Sequence, residues 1–173
     1  MPPVWRSLLV AGDATLGWLH AALQVAMGWT NSHLHRFGTA AGDFSDSSFE
    51  LDCGDEGRVR MMDVAPVVGA ELEYEYDMGD GWLHHVTVEL ITGPQGPIAR
   101  DAECGDGARA CPPEDCGGPA GPRFAEAGRG VEAEFDGRAV AEWLWHKVHG
   151  ALLRKTYSHV RAEHEREMVA KVG

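Results

Sequence analysis

Imidazole and carboxylate side chains gather around one tight turn near the middle of the sequence. Asp77 and Asp80 belong to the turn, His84 follows it, and Glu114 and Asp115 lie in a distant loop. A divalent metal ion held by such groups activates water for hydrolysis, for example of a phosphoester. The alternative is structural, because aspartates hydrogen-bond the backbone of turns, acidic residues cap helices, and a histidine can tether a loop. Both interpretations stay open, and the structural one is the more common.

A second pair of histidines lies in a predicted strand, residues 32–37. His33 and His35 are two residues apart, so on a strand they share one face and can reach the same metal ion. An exposed polar face is the alternative interpretation. Tyr76 and Trp82 flank the central turn, and we expect them to line the site together with these histidines.

Three of the four cysteines lie in residues 93–130, a segment rich in proline and glycine that predicts a long irregular loop. The three are Cys104, Cys111 and Cys116. Their spacing is not the C-x-x-C of a zinc ribbon, yet a structural zinc ion would organise such a loop. Cys53 or a histidine would then be the fourth ligand. Free thiols, or an incidental disulfide, are the alternative.

The strands that must position these residues are predicted from alternating side chains. Residues 71–77 and 82–90 alternate on either side of the glycine-containing turn, which predicts a β-hairpin. Residues 2–10 and 32–37 predict two more strands. We therefore expect a mainly antiparallel sheet with the turn at the end of its hairpin.

One helix is predicted to pack on this sheet. Leucines recur at helical spacing from Thr15 to Met27, with Asp13 or Thr15 as the N-cap and Gly28 at the C-terminal end. His20 lies among the apolar positions of this helix. We expect it to be partly buried and to have a hydrogen-bond partner.

The rest of the chain divides into a loop, a short strand and a tail. Residues 38–58 predict a loop and residues 59–62 a short strand. Residues 1–150 are predicted to form a single α+β domain, and residues 151–173 a charged C-terminal helical tail. A helix over residues 136–152 has an apolar face that should dock either on the domain or on a second copy, and the second alternative is a homo-oligomer through the C-terminal helices.

Composition restricts the partners. The net charge is -12, from 27 acidic and 15 basic residues, which disfavours binding to nucleic acid. No apolar run is long enough for a membrane span, and the N-terminus does not resemble a secretory signal, so cytoplasmic localisation is expected. An unknown small molecule or protein remains as the partner.

Several motifs together resemble the plasmid pRiA4b ORF-3-like family, which includes TnpR-like passenger proteins of insertion elements. They are Trp5-Arg6, Ala26-Met27-Gly28-Trp29, His33-Leu34-His35-Arg36-Phe37, the hairpin Tyr74-Glu75-Tyr76-Asp77-Met78-Gly79-Asp80-Gly81-Trp82-Leu83-His84, and Cys111-Pro112-Pro113-Glu114-Asp115-Cys116-Gly117-Gly118. The resemblance implies an α+β roll, in which a curved, mainly antiparallel sheet packs on one long helix, with a long irregular Cys/Pro/Gly loop and C-terminal helices.

The motifs lie far apart in the sequence, and the simplest account is that they meet in space. We therefore expect Asp80 and His84 to lie near Glu114, Asp115 or Cys116.

Three functions remain as hypotheses, and the sequence does not decide whether the protein is an enzyme. The first is a binding or accessory module with a Cys/His/acidic metal site, for which zinc is the candidate metal. The resemblance associates this module with plasmids and mobile elements. The second is a metal-dependent hydrolase that uses the histidine and aspartates of the hairpin. The third is a DNA-associated accessory protein, which requires a basic patch of Arg154, Lys155 and Arg161.

Overall fold

The computed structural model describes residues 4–92, 103–119, 121 and 157–164. It is an α+β structure with one eight-stranded sheet, ordered β4-β3-β2-β5-β6-β8-β1-β7. All neighbouring strands are antiparallel except the parallel pair β3 and β4. The elements are β1 (Val4–Ala11), α1 (Leu16–Met27), β2 (His35–Thr39), β3 (Gly42–Ser45), β4 (Gly54–Asp55), α2 (Met61–Val64), β5 (Glu71–Tyr76), β6 (Trp82–Thr92), β7 (Glu103–Ala108) and β8 (Tyr157–His164).

The predicted hairpin is confirmed as β5 and β6. Alternate residues of both strands are buried, which gives the sheet one core face and one exposed face. The turn closes through the Gly81 N–H, which donates to the Asp77 carbonyl at 2.7 Å. Both residues have positive φ, 52° at Asp77 and 67° at Gly81, so the turn depends on residues that tolerate this conformation. The buried side chains of the hairpin are those of Leu72, Tyr74, Tyr76, Trp82, His84, Val86 and Val88.

The predicted helix is confirmed as α1, and its twelve residues are an ordinary length for a globular protein. Of the two N-cap candidates, Thr15 holds the position, and its hydroxyl accepts from the Trp18 N–H at 3.2 Å. Gly28 ends the helix with φ 73°. The buried face of α1 joins the sheet in the core cluster through Leu16, Leu19, Leu23 and Met27.

Three local predictions were wrong. Residues 38–58, predicted to be a loop, contain β3 and β4, and residues 93–130, predicted to be irregular, contain β7. The predicted strand at residues 59–62 instead includes the start of α2. Glycine and polar residues weaken a strand signal in sequence, but the backbone groups of a neighbouring strand still require partners, and β7 supplies them to β1.

The helical tail is also corrected, because residues 157–164 form β8 between β6 and β1. The physical reason is long-range: the facing edges of β6 and β1 both need a hydrogen-bonding strand. The predicted helix at residues 136–152 lies outside the described residues, so oligomerisation through C-terminal helices stays a prediction. The domain boundary at residue 150 and the curvature of the sheet stay predictions as well. None of the helices in the described ranges is long and apolar enough to span a bilayer.

Candidate functional site

Three segments that are distant in sequence meet at the hairpin turn. His33 precedes β2, Asp77 begins the turn, and Asp115 lies in the loop after β7. His33 Nδ1 is 3.7 Å from Asp77 Oδ1, and His33 Nε2 is 3.2 Å from Asp115 Oδ1. The three ligand atoms all lie within 4.8 Å of one another. One imidazole and two carboxylates therefore converge on a space that suits a metal ion.

The three side chains differ in how far they face solvent. The Asp77 side chain is 11% exposed, His33 is 26% exposed and Asp115 is 76% exposed. Asp77 Oδ1 also accepts from the N–H groups of Gly79 and Asp80, at 3.2 and 3.3 Å, so the turn fixes this carboxylate. The Tyr76 ring meets the His33 ring edge to face, with centroids 5.8 Å apart. The group is thus rigid on the hairpin side and open on the Asp115 side.

Asp80 attaches the distant loop to the turn. Its Oδ2 accepts from the Gly117 N–H at 3.0 Å. Next along the loop, Gly118 approaches so closely that a Cβ there would lie 2.1 Å from the Asp80 carbonyl oxygen. Gly118 also has φ 72°, so both the space and the backbone conformation require glycine. The structure therefore places Asp80 against this loop, as expected.

Glu114 joins the same loop to the segment before β2. Its carboxylate accepts from the N–H and hydroxyl of Thr30 and from the hydroxyl of Tyr76. Burial alone would raise the pKa of Glu114, but the hydrogen bonds from Thr30 and Tyr76, with His33 nearby, outweigh it and lower this pKa. Burial and the bond to Glu114 raise the pKa of Tyr76. Glu114 is therefore an anion that clamps two segments together beside the site.

Trp29 and Trp82 are buried side chains next to this region. The Trp29 ring stacks on Tyr76 with centroids 4.8 Å apart, and its Nε1–H donates to the Pro112 carbonyl at 3.0 Å. Trp82 is 1% exposed and its ring centroid is 5.9 Å from that of Trp29. Trp82 therefore supports the site from below, which is a packing role.

His84 and His35 lie in the core and are not members of the three-residue group. His84 is 1% exposed, its Nδ1 lies 3.2 and 3.1 Å from the carbonyls of Tyr74 and Trp82, and its ring meets the edge of Trp29. Its place on the face of β6 that carries Trp82 was visible in the alternation, and that face is the buried one.

His35 is separated from His33 because β2 begins only at His35. His33 precedes the strand, so strand alternation does not apply to it, and the expectation that both histidines reach one metal ion is wrong. His35 Nε2 lies 2.8 Å from Glu56 Oε2, and its ring stacks on His20. Asn31, with φ 59°, turns the chain just before His33. Asparagine is a residue type that tolerates this conformation, but the strand was predicted to start at residue 32, three residues before it does.

The zinc site expected at Cys104, Cys111 and Cys116 stays a prediction. Cys53 is a free thiol, and the group in the described residues that could hold a metal ion contains no cysteine. Cys111 Sγ accepts from Arg6 Nη2 at 2.9 Å and lies 3.5 Å from Met27 Sδ. The backbone of Cys104 belongs to β7, and its side chain lies outside the described residues. Cys111 thus packs against the core through buried Arg6.

Comparisons with known proteins agree with the fold. A similar protein is the uncharacterized protein y4hQ of Sinorhizobium fredii, 39% identical over 133 residues, which are 73% of this chain and 66% of that protein. The chain thus spans just under two thirds of that relative's length. A crystal structure of a protein of unknown function from Methanosarcina mazei Go1 is similar with a TM-score of 0.60, over 88% of this chain and 95% of that chain. Its identity is 23%, so this likeness shows the fold alone.

The family assignment rests on a match that covers most of the chain. The family model described as plasmid pRiA4b ORF-3-like protein matches residues 1–148. These residues include every motif that meets at the turn. The chain belongs to the plasmid pRiA4b ORF-3-like family.

Proposed function

We propose that this protein is a binding or accessory module that holds a divalent metal ion through His33, Asp77 and Asp115. The observation that carries the proposal is the convergence of three ligand atoms, from three separate segments, within 4.8 Å of one another. Two carboxylates this close repel each other, and a bound cation removes that repulsion. Metal binding would then fasten the loop that carries Asp115 onto the hairpin.

The chemistry of the ligands indicates the class of metal. One imidazole nitrogen and two carboxylate oxygens suit Zn²⁺, Mn²⁺, Fe²⁺ or Co²⁺, whereas Mg²⁺ and Ca²⁺ favour oxygen ligands alone. Zinc therefore remains a candidate cofactor, with imidazole and carboxylate ligands in place of the thiolates expected from the sequence. Asp115 is 76% exposed, so positions on the solvent side are free for water or for a ligand of the module.

Cellular context belongs to the same proposal. The free thiol of Cys53 is typical of a reducing compartment, which supports a cytoplasmic location. An accessory role on plasmids or other mobile elements is inferred from the family description. A small molecule or a protein is the proposed partner.

Metal titration tests the proposal directly. The wild-type protein should bind one Zn²⁺ or Co²⁺ per chain in calorimetry, and His33→Ala should weaken binding by more than the roughly 10- to 100-fold typical of outer-shell changes. His85→Ala is the matched control, because His85 lies on β6 in register with Glu73 and outside the three-residue group. A wild-type protein without stoichiometric metal, or a His33→Ala variant with unchanged affinity, would exclude this site.

A metal-dependent hydrolase is the second candidate, favoured by the solvent-facing side of the site. A metal ion there would lower the pKa of a bound water, and the substrate would reach it past Asp115. The surroundings carry further negative charge on Asp80 and Glu114, which disfavours a phosphoester dianion relative to a neutral ester or amide. Metal-dependent turnover that disappears in His33→Ala would establish this function, and stoichiometric metal without turnover would leave the binding module.

For the DNA-associated hypothesis, no observation within the described part of the chain is favourable. Arg154 and Lys155 lie outside the described residues, and Arg161 belongs to β8. The net charge of -12 argues in the same direction.

A further inference from the structure

A closed ring of hydrogen bonds next to the site joins three buried side chains to the exposed residue Asn31. The backbone N–H of Asn31 donates to Gln24 Oε1 at 2.9 Å, and Gln24 Nε2 donates to Tyr74 Oη at 2.9 Å. Tyr74 Oη lies 2.8 Å from His20 Nδ1, and His20 Nε2 lies 2.8 Å from Asn31 Oδ1. Four residues from α1, β5 and the segment before β2 thus close on themselves.

The direction of every bond in the ring follows from one fixed donor. A backbone N–H can only donate, so Gln24 presents its oxygen to Asn31 and its NH₂ to Tyr74. Tyr74 then donates its own proton to His20 Nδ1, and the proton of the imidazole sits on Nε2, from which it is donated to Asn31. All four residues are satisfied only when His20 is neutral and in this tautomer.

The surroundings of His20 favour the same neutral form. His20 is 5% exposed, and the His35 ring stacks on it at 3.5 Å with an interplanar angle of 6°. Burial and the neighbouring His35 lower the pKa of His20 to about 3, against the smaller opposing effects of Asn31 and Asp46. The other titratable groups here are Tyr74 in the ring and Glu56, which is hydrogen-bonded to His35.

The ring reaches the site through the segment that carries His33. Asn31 has φ 59° and lies two residues before His33, so its orientation sets where the chain leaves α1 for β2. The neighbours of Asn31 are held from the other side: Thr30 donates to Glu114, and the Ser32 N–H donates to Tyr76 Oη at 3.0 Å. Asn31 ties this segment to α1 and β5 through its hydrogen bonds to Gln24 and His20.

We propose that this ring positions His33 for metal binding, with His20 as a positioning residue that acts through the side chain of Asn31. The inference rests on the metal site proposed above and adds the regulation of its geometry by a residue that touches none of the three ligands. A metal ligand held in place before the ion arrives loses less conformational entropy on binding. A ring that is broken at Asn31 should therefore weaken metal binding while the ligands themselves remain.

Two substitutions at one position separate this role from simple core packing. In His20→Gln the amide NH₂ falls near the place of Nε2 and can still donate to Asn31. In His20→Asn the shorter amide falls near the place of Nδ1, so the bond to Asn31 is lost while a bond to Tyr74 can remain. Both variants lose part of the ring and some stability, but only one loses the tie to the His33 segment.

The experiment is a Co²⁺ titration followed by the visible absorption of the bound ion, with Zn²⁺ competition to obtain affinities. His20→Asn should bind about 10-fold more weakly than the wild type, as for other outer-shell changes, and His20→Gln should retain most of the affinity. Asn31→Gly is a second route at an exposed position, because glycine accepts the positive φ and only the side-chain acceptor is removed. It should match His20→Asn, and His85→Asn is the control for the same substitution elsewhere.

The outcomes distinguish this inference from the metal site itself. Wild-type affinity in Asn31→Gly, or equal losses in His20→Asn and His20→Gln, would overturn the positioning role while the metal site stands. If His20→Asn does not fold, the result for Asn31→Gly decides alone. A wild-type protein that binds no Co²⁺ would overturn both.

Discussion

His33 and His35 are two residues apart and face carboxylates in opposite environments. The His35 side chain is 2% exposed and meets Glu56, itself 8% exposed, at 2.8 Å. The His33 side chain is 26% exposed and meets Asp77 on the turn and Asp115 on the loop, the latter 76% exposed. One imidazole is enclosed by the core, and the other opens to solvent.

This difference indicates which of the two groups is accessible to a ligand. Glu56 packs against α1 at Gly17, where a Cβ would lie 3.1 Å from Glu56 Oε1, so the enclosed pair has its space filled by protein. At the open group, the two carboxylate oxygens lie within 4.8 Å of each other, and Asp115 is exposed to solvent. We therefore expect the enclosed pair to contribute to stability and the open group to be the one that can exchange ions.

The largest expected effect comes from removing the carboxylate of the enclosed pair. Glu56→Ala leaves buried His35 Nε2 without its acceptor, and we expect a loss of about 3 kcal/mol in the free energy of unfolding. Asp115→Ala removes the exposed partner of His33 and places alanine at φ 56°, so it should lower that free energy by only about 1 kcal/mol in metal-free protein. Urea denaturation with and without EDTA measures both.

The variant with the smaller effect on stability should have the larger effect on metal binding. Asp115→Ala should lose metal affinity, whereas folded Glu56→Ala should bind metal like the wild type. Similar stability losses in the two variants would show that the enclosed and open groups do not differ as the structure indicates.

Two glycine-to-alanine substitutions test the loop that brings Asp115 into the open group. Gly118 and Gly28 have nearly equal φ, 72° and 73°, but a Cβ at Gly118 meets the Asp80 carbonyl whereas a Cβ at Gly28 has nothing within 4 Å. Gly28→Ala should cost about 1 kcal/mol, the strain of alanine in this conformation. Gly118→Ala carries the same strain and must also displace the loop, so it should cost more in stability and weaken metal binding.

Calorimetry and thermal denaturation of the two alanine variants measure these effects. Equal stability losses, with metal affinity unchanged in Gly118→Ala, would mean that the close approach of the loop to the turn has no part in the site.

Local periodicity was sufficient to predict the elements whose side chains decide their own faces. The hairpin and α1 alternate or repeat clearly, and the structure buries the faces that the patterns indicate. β8 was not predictable in this way, because its charged residues are equally typical of a helix and its place depends on the facing edges of two distant strands, β6 and β1. β7 was not predicted either, because its glycines weaken the strand signal and its place depends on pairing with β1.

The site was predictable as a set of residues but not as a set of contacts. Asp77, Asp115 and His33 were all candidates from residue type and position. Their grouping depends on a chain reversal at Asn31, and no local signal distinguishes a histidine just before a strand from one inside it. His84 was chosen as the imidazole of the turn, although it shares a strand face with Trp82, and that face was the evident core face.

The last prediction concerns the effect of acid on His20, whose ring stacks on that of His35 in the enclosed pair. The pKa of His20 is about 3 in the folded protein and 6.5 ordinarily, so the unfolded chain binds more protons between these values. The stability that comes from neutral His20 is complete above pH 6.5 and is lost as the pH falls towards 3. By pH 5 the loss should be about 2 kcal/mol, from roughly 1.4 kcal/mol per pH unit.

Urea denaturation of metal-free protein at several pH values between 7 and 5 measures this loss without a contribution from the ion. His20→Gln does not titrate, so its unfolding free energy should fall less steeply over this interval, although it starts lower. Parallel pH profiles of stability in the two proteins would show that His20 is not held neutral.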